Sequence, residues 1–269
     1  MNIQSFTQNN AILMLAMDHR GSFQKILSPD NPNAVSSDEI IEVKNKVISA
    51  LEPYFSGVLI DPQYGLKAYP QKTKPFLLSI EKTGYSEQNE GRVTELEYTV
   101  DELKEYGASG VKLLLYFNPA SKTAEAQIAT AKTVLDASKA AGLPLFLEIV
   151  TYNESPKSKS DCIVESVDAF LKAGISADVF KLDFPETEQA CKKITDMLGT
   201  TPWILLTRGG GYETFKRNLE TAIRNGAKGF LAGRSVWQEI GEHRQDIDAY
   251  LNGTVIPRFR EICAVATGA

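Results

Sequence analysis

The sequence is poor in the residues that form disulfide frameworks and metal centres. It has three cysteines and two histidines among 269 residues. The cysteines, Cys162, Cys191 and Cys263, are far apart and form no CxxC motif, which indicates a reducing compartment. Two histidines cannot supply the imidazoles of a histidine-rich catalytic zinc site. We therefore expect no metal and no cofactor, and we interpret the cysteines as packing residues of helices.

Positive charge and long apolar stretches are also scarce. The 29 lysines and arginines are outnumbered by 34 aspartates and glutamates, which gives a net charge of −5. This balance argues against nucleic acid as a partner, because nucleic acid favours basic surfaces, although a pocket can still be locally positive. Apolar stretches stay well below the roughly 18 residues of a membrane span, and the N-terminus lacks the basic segment of a signal peptide. We expect a cytoplasmic protein that binds neither nucleic acid nor membrane.

Eight short apolar runs recur along the chain, without a linker or low-complexity tract between them. Near-continuous apolar character is typical of strands that are buried on both faces of a parallel sheet. The runs are Ala11–Asp18, Gly57–Gln63, Phe76–Thr83, Gly110–Phe117, Leu143–Val150, Val179–Asp183, Trp203–Gly209 and Gly229–Ser235. We expect residues 1–269 to form a single domain.

Helical segments fill most gaps between these runs, and several of them end at a glycine, a common C-terminal stop. The gap between the second and third runs leaves room only for a very short helix. The predicted helices are Asp38–Leu51, Glu95–Tyr106, Ala124–Ala141, Asp161–Ala173, Glu186–Leu198, Tyr212–Asn225 and Val255–Val265. Strand–helix alternation repeated eight times predicts an α/β protein with a single (β/α)8 TIM barrel. The main alternative, an open doubly wound sheet, is disfavoured because no GxGxxG motif follows the first run.

Charged residues occur in these runs where apolar side chains are expected. Asp18 ends the first run, and Lys112, Glu148 and Lys181 lie within three consecutive later runs. Side chains alternate between the two faces of a strand, so all three of the latter can point into the barrel. Barrel enzymes carry their active sites at the carboxyl ends of the strands. The pattern predicts a charged active site, and a buried salt-bridge cluster without catalysis is the alternative.

This set of side chains suits imine formation. Only a neutral amine attacks a carbonyl, and burial together with a neighbouring cation favours the neutral form. Lys181 is our candidate nucleophile, Lys112 the cation that lowers its pKa, and Glu148 the proton shuttle. Two other interpretations remain. One is a barrel isomerase or synthase that uses Glu148 as a base without an imine, and the other is a catalytically silent sugar-phosphate sensor.

Glycine-bearing loops follow the seventh and eighth runs. The first contains Arg208, Gly209 and Gly210, and the second contains Gly233 and Arg234. Backbone N–H groups of loops in these positions bind phosphate in barrels, and either arginine can add charge-assisted hydrogen bonds. We expect a phosphate site here. The alternative is a flexible turn, with Arg234 paired to a carboxylate outside the pocket.

The two histidines differ in their surroundings. His19 follows Asp18 at the end of the first run, where it either lines the pocket or makes a structural hydrogen bond. His243 lies in a polar segment and is expected to be solvated. The GxSxG motif of serine hydrolases is absent.

Six motifs, in this order, resemble the tagatose-1,6-bisphosphate aldolase and sulfofructose-phosphate aldolase group of class I aldolases. They are AMDHRGSF, VKLLLYF, FLEIVTY, VFKLDFP, PWILLTRGG and GFLAGRSVW, and they span about residues 11–240. The resemblance implies a metal-free (β/α)8 barrel that cleaves a ketose 1-phosphate and releases dihydroxyacetone phosphate. We accordingly expect a phosphorylated sugar as the small-molecule partner and a homo-oligomeric assembly.

The resemblance also implies roles for individual residues. The family's Schiff-base lysine falls on Lys181, its second active-site lysine on Lys112 and its catalytic glutamate on Glu148. The first-strand aspartate falls on Asp18, which we expect to assist at the substrate hydroxyl groups. Gln63 matches a pocket position, and the last glycine–arginine pair of the family falls on residues 233 and 234.

Two positions depart from the family pattern at the expected substrate pocket. The glutamine that usually follows the first aspartate is His19 here, and the seventh loop has Arg208 and three glycines in place of serine or alanine and one glycine. An aldolase of an inositol-catabolism intermediate, of the 2-deoxy-5-keto-gluconate 6-phosphate type, remains an alternative because it shares the DHRGS style of first strand.

Overall fold

The protein folds as a closed barrel of eight parallel strands. The computed structural model describes residues 3–88, 91–152 and 156–268. Each strand pairs with the next along the chain, and the eighth pairs with the first. The strands are β1 (Ala11–Met17), β2 (Gly57–Ile60), β3 (Phe76–Ser79), β4 (Gly110–Phe117), β5 (Leu145–Thr151), β6 (Val179–Leu182), β7 (Trp203–Leu206) and β8 (Gly229–Ala232). The (β/α)8 fold is confirmed, and each predicted run contains or overlaps one strand.

Helices connect the strands. They are α1 (Gly21–Leu27), α2 (Ser37–Leu51), α3 (Gly65–Ala68), α4 (Val100–Glu105), α5 (Ala124–Ala141), α6 (Lys159–Lys172), α7 (Glu188–Leu198), α8 (Tyr212–Arg224), α9 (Arg234–Trp237), α10 (Ile247–Tyr250) and α11 (Ile256–Thr267). Shorter 3₁₀ segments are Ile3–Phe6, Pro32–Ala34 and Gln238–His243, and Leu251–Val255 is a π-helical turn. The link between β2 and β3 holds only the single turn α3, as its length predicted. Across the described ranges, no helix is both long enough and apolar enough to span a membrane.

One predicted helix begins later than expected. Helix α4 starts at Val100, not at Glu95, because Leu96 forms an isolated antiparallel bridge with Glu81. Thr99 then opens the helix with a capping box. Its hydroxyl accepts from the backbone N–H of Glu102, whose carboxylate accepts from the backbone N–H of Thr99. Such a reciprocal pair satisfies two backbone donors that a helix start leaves open. Helix α1 is an element that the sequence pattern did not predict.

Two short antiparallel strand pairs lie outside the eight parallel strands of the barrel. Thr7–Gln8 pairs with the start of β1, and Ser86–Gln88 pairs with Gly91–Val93 in what we call the hairpin. The hairpin follows β3 and precedes α4 in the sequence, so it lies at the end of the barrel where the strands have their carboxyl ends.

The lumen has an apolar floor. Phe6 is fully buried, and its ring centroid lies 5.2 Å from that of Phe146 in an edge-to-face contact. Gly57 leaves room for it, because a Cβ there would come within 2.9 Å of the Phe6 ring. Together with lumen residues such as Met14 and Val179, these side chains form one apolar cluster. The larger cluster between the strands and helices contains Leu147, which follows Phe146, and Phe180, which follows Val179. Alternate residues of these strands therefore face opposite sides of the sheet.

A fully buried ion pair joins α2 to the carboxyl ends of β1 and β2. Lys44 and Asp61 are both 0% exposed and form an ion pair, and Nζ of Lys44 donates to the carbonyl oxygen of Met17 at 2.8 Å. The carboxylate of Asp61 also accepts from the backbone N–H of Tyr64 at 2.7 Å. A buried pair of this kind is tolerated only when both charges are paired and hydrogen-bonded. It fixes the backbone immediately before Asp18.

Candidate active site

A cavity of about 500 Å³ opens at the carboxyl ends of the strands. Most of the predicted site residues line it, namely Asp18, His19, Lys112, Glu148, Lys181, Arg208, Gly233 and Arg234. Gly209 and Gly210 are not lining residues, although Gly209 lies directly beneath the Arg234 side chain. Gln63 is exposed in the segment between β2 and α3 and does not line the cavity.

Lys181 and Glu148 face each other in the lumen. They are register partners across β6 and β5, and their side chains are nearly fully buried, at 6% and 7% exposure. Nζ of Lys181 lies 2.8 Å from Oε2 of Glu148. The strand phase that the sequence predicted therefore brings the amine and the carboxylate together inside the barrel.

Lys112 is surrounded by three carboxyl groups. Its Nζ lies 3.1 Å from Asp18, 2.6 Å from Glu81 and 3.1 Å from Glu148. Burial acts to lower the pKa of Lys112, but Asp18, Glu148 and Glu81 outweigh it and hold that pKa well above its usual range. Lys112 is therefore a fixed ammonium at the centre of the site.

The three carboxyl groups differ in how readily they bind a proton. Burial raises the pKa of each, but around Asp18 the nearby positive charge, above all the ammonium of Lys112, reverses the effect and places the pKa below its usual range. The pKa of Glu148 is likewise lowered, because Lys112 and Lys181 outweigh burial. Burial dominates at Glu81, whose pKa is raised although Lys112 acts against it. Glu81 is therefore the carboxyl group of this cluster that takes up a proton most easily.

Glu81 was not singled out from the sequence. Its Oε1 accepts from Lys112, and its Oε2 accepts from the backbone N–H of Leu114 at 3.1 Å. A usable signal existed, because the period of two that turns Leu77 into the lumen continues through Ser79 to Glu81 within the predicted third run. Arg20 was also missed. It is 7% exposed, lines the cavity, pairs with Glu97 and donates to the carbonyl oxygen of Glu81 at 2.7 Å.

His19 lies between the carboxylate cluster and the end of β8. Its ring packs edge-to-face on Trp237, and its Nδ1 lies 3.7 Å from Oδ1 of Asp18. Burial lowers the pKa of His19 to about 3, against which the Asp18 carboxylate acts only partly. The imidazole is therefore neutral at physiological pH. Gly233 permits this position, because a Cβ there would lie 3.1 Å from Cε1 of His19.

The arginines of the β7 and β8 loops have different partners. Arg208 adopts a left-handed φ of 47°, donates to Asp183 at 2.8 Å and donates to the carbonyl oxygen of Thr151 at 2.9 Å. Arg234 is half-buried, and within the part of the chain that the structure describes it has no hydrogen bond or ion pair. Its guanidinium lies over Gly209, where a Cβ would come within 3.0 Å of Cζ. A cationic group without a protein anion, beside a glycine-bearing loop, suits an oxyanion ligand.

The remaining histidine and the cysteines lie away from this cavity. His243 is 39% exposed and stacks on Tyr250. Cys162, Cys191 and Cys263 lie in α6, α7 and α11. Over residues 3–88, 91–152 and 156–268, no three or more histidine, cysteine, aspartate and glutamate side chains are grouped so that they could hold a metal ion.

Comparison with known proteins relates this chain to aldolases. The family model for DeoC/LacD family aldolases matches residues 12–239. The chain is 29% identical to the tagatose 1,6-diphosphate aldolase of Staphylococcus aureus strain JH9, over 88% of this chain and 83% of the relative.

Solved structures of similar fold include an archaeal fructose 1,6-bisphosphate aldolase, with a TM-score of 0.72, 19% identity and coverage of 99% of this chain and 98% of the other. Another is an archaeal fructose-1,6-bisphosphate aldolase whose catalytic lysine is covalently bound to the carbinolamine intermediate of its substrate. It has a TM-score of 0.72, 18% identity and the same coverage, 99% and 98%. At this level of identity the two structures establish the shared fold.

Proposed function

The chain belongs to the DeoC/LacD family of class I aldolases and is a lyase, and we propose that it cleaves a ketose 1-phosphate through a Schiff base on Lys181. One observation carries the proposal. The buried amine of Lys181 contacts the Glu148 carboxylate at 2.8 Å. Arg234 lines the same cavity, and its guanidinium has no hydrogen bond or ion pair with any residue that the structure describes. A nucleophile, a proton acceptor and an anion site are thus within one cavity.

The proposed reaction begins at the C2 ketone. Lys181 gives a proton to Glu148, and the neutral amine adds to C2 to form a carbinolamine. Glu148 returns the proton to the departing hydroxyl, which leaves as water and gives the iminium ion. The C3–C4 bond then breaks as the C4 hydroxyl gives its proton to the Glu148 carboxylate, and the electron pair moves into the iminium to give an enamine and a free aldehyde. Protonation at C3 and hydrolysis of the imine release dihydroxyacetone phosphate and regenerate the amine.

The neighbouring groups hold the charges that these steps require. Asp18 remains ionised, so it can accept hydrogen bonds from substrate hydroxyl groups. Lys112 keeps Asp18 and Glu148 in the carboxylate form. Its role towards Lys181 stays a prediction from the sequence.

Phosphate binding positions the ketone. In this proposal, Arg234 and the backbone N–H groups of Gly233 and Gly209 hold the C1 phosphate. The predicted contribution of the Gly210 N–H is not retained, because that group already donates to the carbonyl oxygen of Thr207 at 3.1 Å. Binding energy from this non-reacting group fixes C2 against Lys181. Arg208, held by Asp183, lies at the same side of the mouth.

The sugar itself is assigned from the relatives. The similarity to a tagatose 1,6-diphosphate aldolase supports tagatose 1,6-bisphosphate as the type of substrate, and the resemblance of the sequence motifs also implies 6-deoxy-6-sulfofructose 1-phosphate. A 2-deoxy-5-keto-gluconate 6-phosphate aldolase is the alternative. We retain the predictions of a homo-oligomer and of a cytoplasmic location.

Borohydride trapping tests the proposal directly. Dihydroxyacetone phosphate and sodium borohydride should give a reduced covalent adduct on the peptide that contains Lys181, identified by mass spectrometry. Lys181→Met should abolish both the adduct and the release of dihydroxyacetone phosphate, whereas Lys132→Met, at an exposed site on α5, should keep both. An adduct on Lys112, or activity lost with EDTA and restored by zinc, would contradict the mechanism. An isomerase or a sensor would form no adduct.

A further inference from the structure

Arg92, in the hairpin at the mouth of the barrel, lies outside the catalytic cluster. Its guanidinium carbon lies 4.2 Å from the ring centroid of Tyr85, 4.7 Å from that of Tyr152 and 5.6 Å from that of Tyr116. Tyr116 lines the cavity and shares its strand face with Lys112. The half-buried Arg92 does not itself line the cavity, but it is held at the β4 side of the mouth beside the Tyr116 ring, which does.

The N–H donors of the Arg92 guanidinium are available to a ligand. Among the residues that the structure describes, it has no carboxylate partner and its side chain makes no hydrogen bond, whereas Arg20 pairs with Glu97 and Arg208 with Asp183. Stacking uses the faces of the planar group, and its N–H bonds point outward in the plane, where they fit an oxyanion bidentately. Placing a charge in a half-buried site costs free energy unless an anion compensates. A ligand can supply that anion.

The position of Arg92 is built in advance of binding. Its backbone N–H donates to the Tyr152 hydroxyl at 2.9 Å, and its carbonyl oxygen accepts from the Thr123 hydroxyl at 3.1 Å. Gly91 brings the hairpin against the loop after β4 so closely that a Cβ there would lie 2.3 Å from Oγ of Ser121. Arg92 is thus attached to the barrel on both sides, and little ordering is left to be done when a ligand arrives.

The barrel topology sets Arg92 opposite the first phosphate site. Arg234 follows β8, Lys181 lies on β6, and Tyr116 lies on β4. In a ring of eight strands, β4 is diametrically across from β8, and β6 is midway between them. A substrate with its C1 phosphate at Arg234 and C2 at Lys181 therefore extends its other end towards Tyr116 and Arg92.

We propose that Arg92 and its tyrosines form a second anion site, which binds a tetrahedral oxyanion, phosphate or sulfonate, at the far end of the sugar. The inference rests on the proposed function, because that function fixes the direction of the substrate. It makes Arg92 a specificity residue that selects sugars with an anionic group at both ends over ketose 1-phosphates with a neutral end.

The test compares substrates that differ only at C6. Release of dihydroxyacetone phosphate is measured with a ketohexose 1-phosphate, the matching 1,6-bisphosphate and the matching 6-deoxy-6-sulfonate. Arg92→Gln should lower the ratio of kcat/KM for the favoured doubly anionic substrate over the monophosphate by about 10- to 100-fold, the loss for a hydrogen bond to a charged group. Arg92→Lys keeps the charge and should retain part of the ratio. Which of the two doubly anionic substrates shows the larger effect identifies the oxyanion.

Arg260→Gln is the matched control, because Arg260 also lies over a tyrosine ring, 5.7 Å from the Tyr54 centroid, but belongs to α11 and not to the hairpin. It should leave the ratio unchanged. Equal losses on all substrates with Arg92→Gln, or no change in the ratio, would overturn the proposal.

A binding measurement separates this proposal from the proposed reaction. Titration calorimetry on Lys181→Met reports affinity for the same three sugars without turnover, and Arg92→Gln in this background should remove the preference for the second anion. If that preference is present and depends on Arg92 while the wild-type protein releases no dihydroxyacetone phosphate, only the proposed cleavage reaction fails. If release occurs but affinity does not depend on the C6 group, only the Arg92 site fails. If none of the sugars binds, both fail.

Discussion

Glu148 lies directly opposite Lys181 in the β5–β6 register, and its Oε2 lies 2.8 Å from the Lys181 Nζ. The same oxygen lies 3.1 Å from Nζ of Lys112. A proton that leaves Lys181 therefore has an acceptor in contact, and the transfer leaves both the amine and the carboxyl group neutral. The two strands hold this pair in place without any loop, which favours a rigid reaction geometry.

Glu148→Gln should lower kcat while changing KM little. Glutamine keeps the shape of the side chain but cannot accept and return the proton during formation and hydrolysis of the imine. General acid–base catalysis contributes about 10²- to 10⁴-fold, and we expect a loss in that range. Steady-state release of dihydroxyacetone phosphate measures it. Glu165→Gln, at an exposed site on α6, is the control, and a loss below threefold at Glu148 would assign the shuttle to another group.

Arg234→Ala should weaken phosphorylated substrates by about 1.5–3 kcal/mol, the range for a hydrogen bond to a charged group. An unphosphorylated ketose should be hardly affected, because it has no group for Arg234 to bind. The measurement is kcat/KM for both sugars. Arg224→Ala, at an exposed site on α8, should change neither. Equal losses on both sugars would show that Arg234 supports the structure and does not hold the phosphate.

Lys44→Met should lower the free energy of unfolding by about 3–5 kcal/mol, because it leaves the fully buried carboxylate of Asp61 without its partner. The double variant Lys44→Met/Asp61→Asn should recover part of the loss, since the amide is neutral and can still accept from the Tyr64 N–H. Denaturant unfolding of the two single variants and the double variant measures the coupling. Additive losses would mean that the two charges stabilise the fold independently.

The free energy of unfolding should decrease at acidic pH, partly because of His19. Its pKa drops from an ordinary 6.5 to about 3 on folding, so below pH 6.5 the unfolded chain binds a proton that the native protein does not. The contribution is complete above pH 6.5 and is lost progressively as the pH falls towards 3. At pH 5 the loss relative to pH 7 amounts to about 1–2 kcal/mol, since each pH unit between the two pKa values is worth about 1.4 kcal/mol.

Denaturant unfolding at pH 7 and pH 5 checks this. His19→Gln should reduce the loss of stability between the two pH values by about 1–2 kcal/mol. His243→Gln, at the exposed histidine, should leave it unchanged. A loss that is the same in wild type and His19→Gln would show that the native imidazole titrates normally.

Much of this geometry follows from strand periodicity. A lysine in VFKLD and a glutamate in FLEIV can be placed in the lumen because a buried strand alternates strictly between two faces. The same rule applied to the third predicted run, Phe76–Thr83, would have added Glu81. In the structure this residue lies two positions beyond Ser79, where the regular strand β3 ends, so its position in the lumen does not depend on regular strand pairing.

Other features depend on contacts between distant segments. The local sequence does not identify Lys44 as the partner of Asp61, because a lysine is equally compatible with the exposed face of a helix. Only the packing of α2 against β1 and β2 buries the ammonium. The exposed position of Gln63 depends on how the short α3 turns, which motif matching does not specify. Helix α4 was predicted too long because the Glu81–Leu96 bridge is a tertiary contact, although the Thr99–Glu102 capping signal was present in the sequence.

The lumen is divided into an apolar floor, centred on Phe6 and Phe146, and a charged mouth. We expect substitutions at the floor to act on packing, and those at Arg92 or Arg234 on the rim to act on substrate recognition. Packing of the lumen and the proposed substrate choice thus belong to separate layers of the same barrel. This separation lets a lineage, or an engineer, exchange rim residues to change the substrate range while the floor keeps the barrel folded.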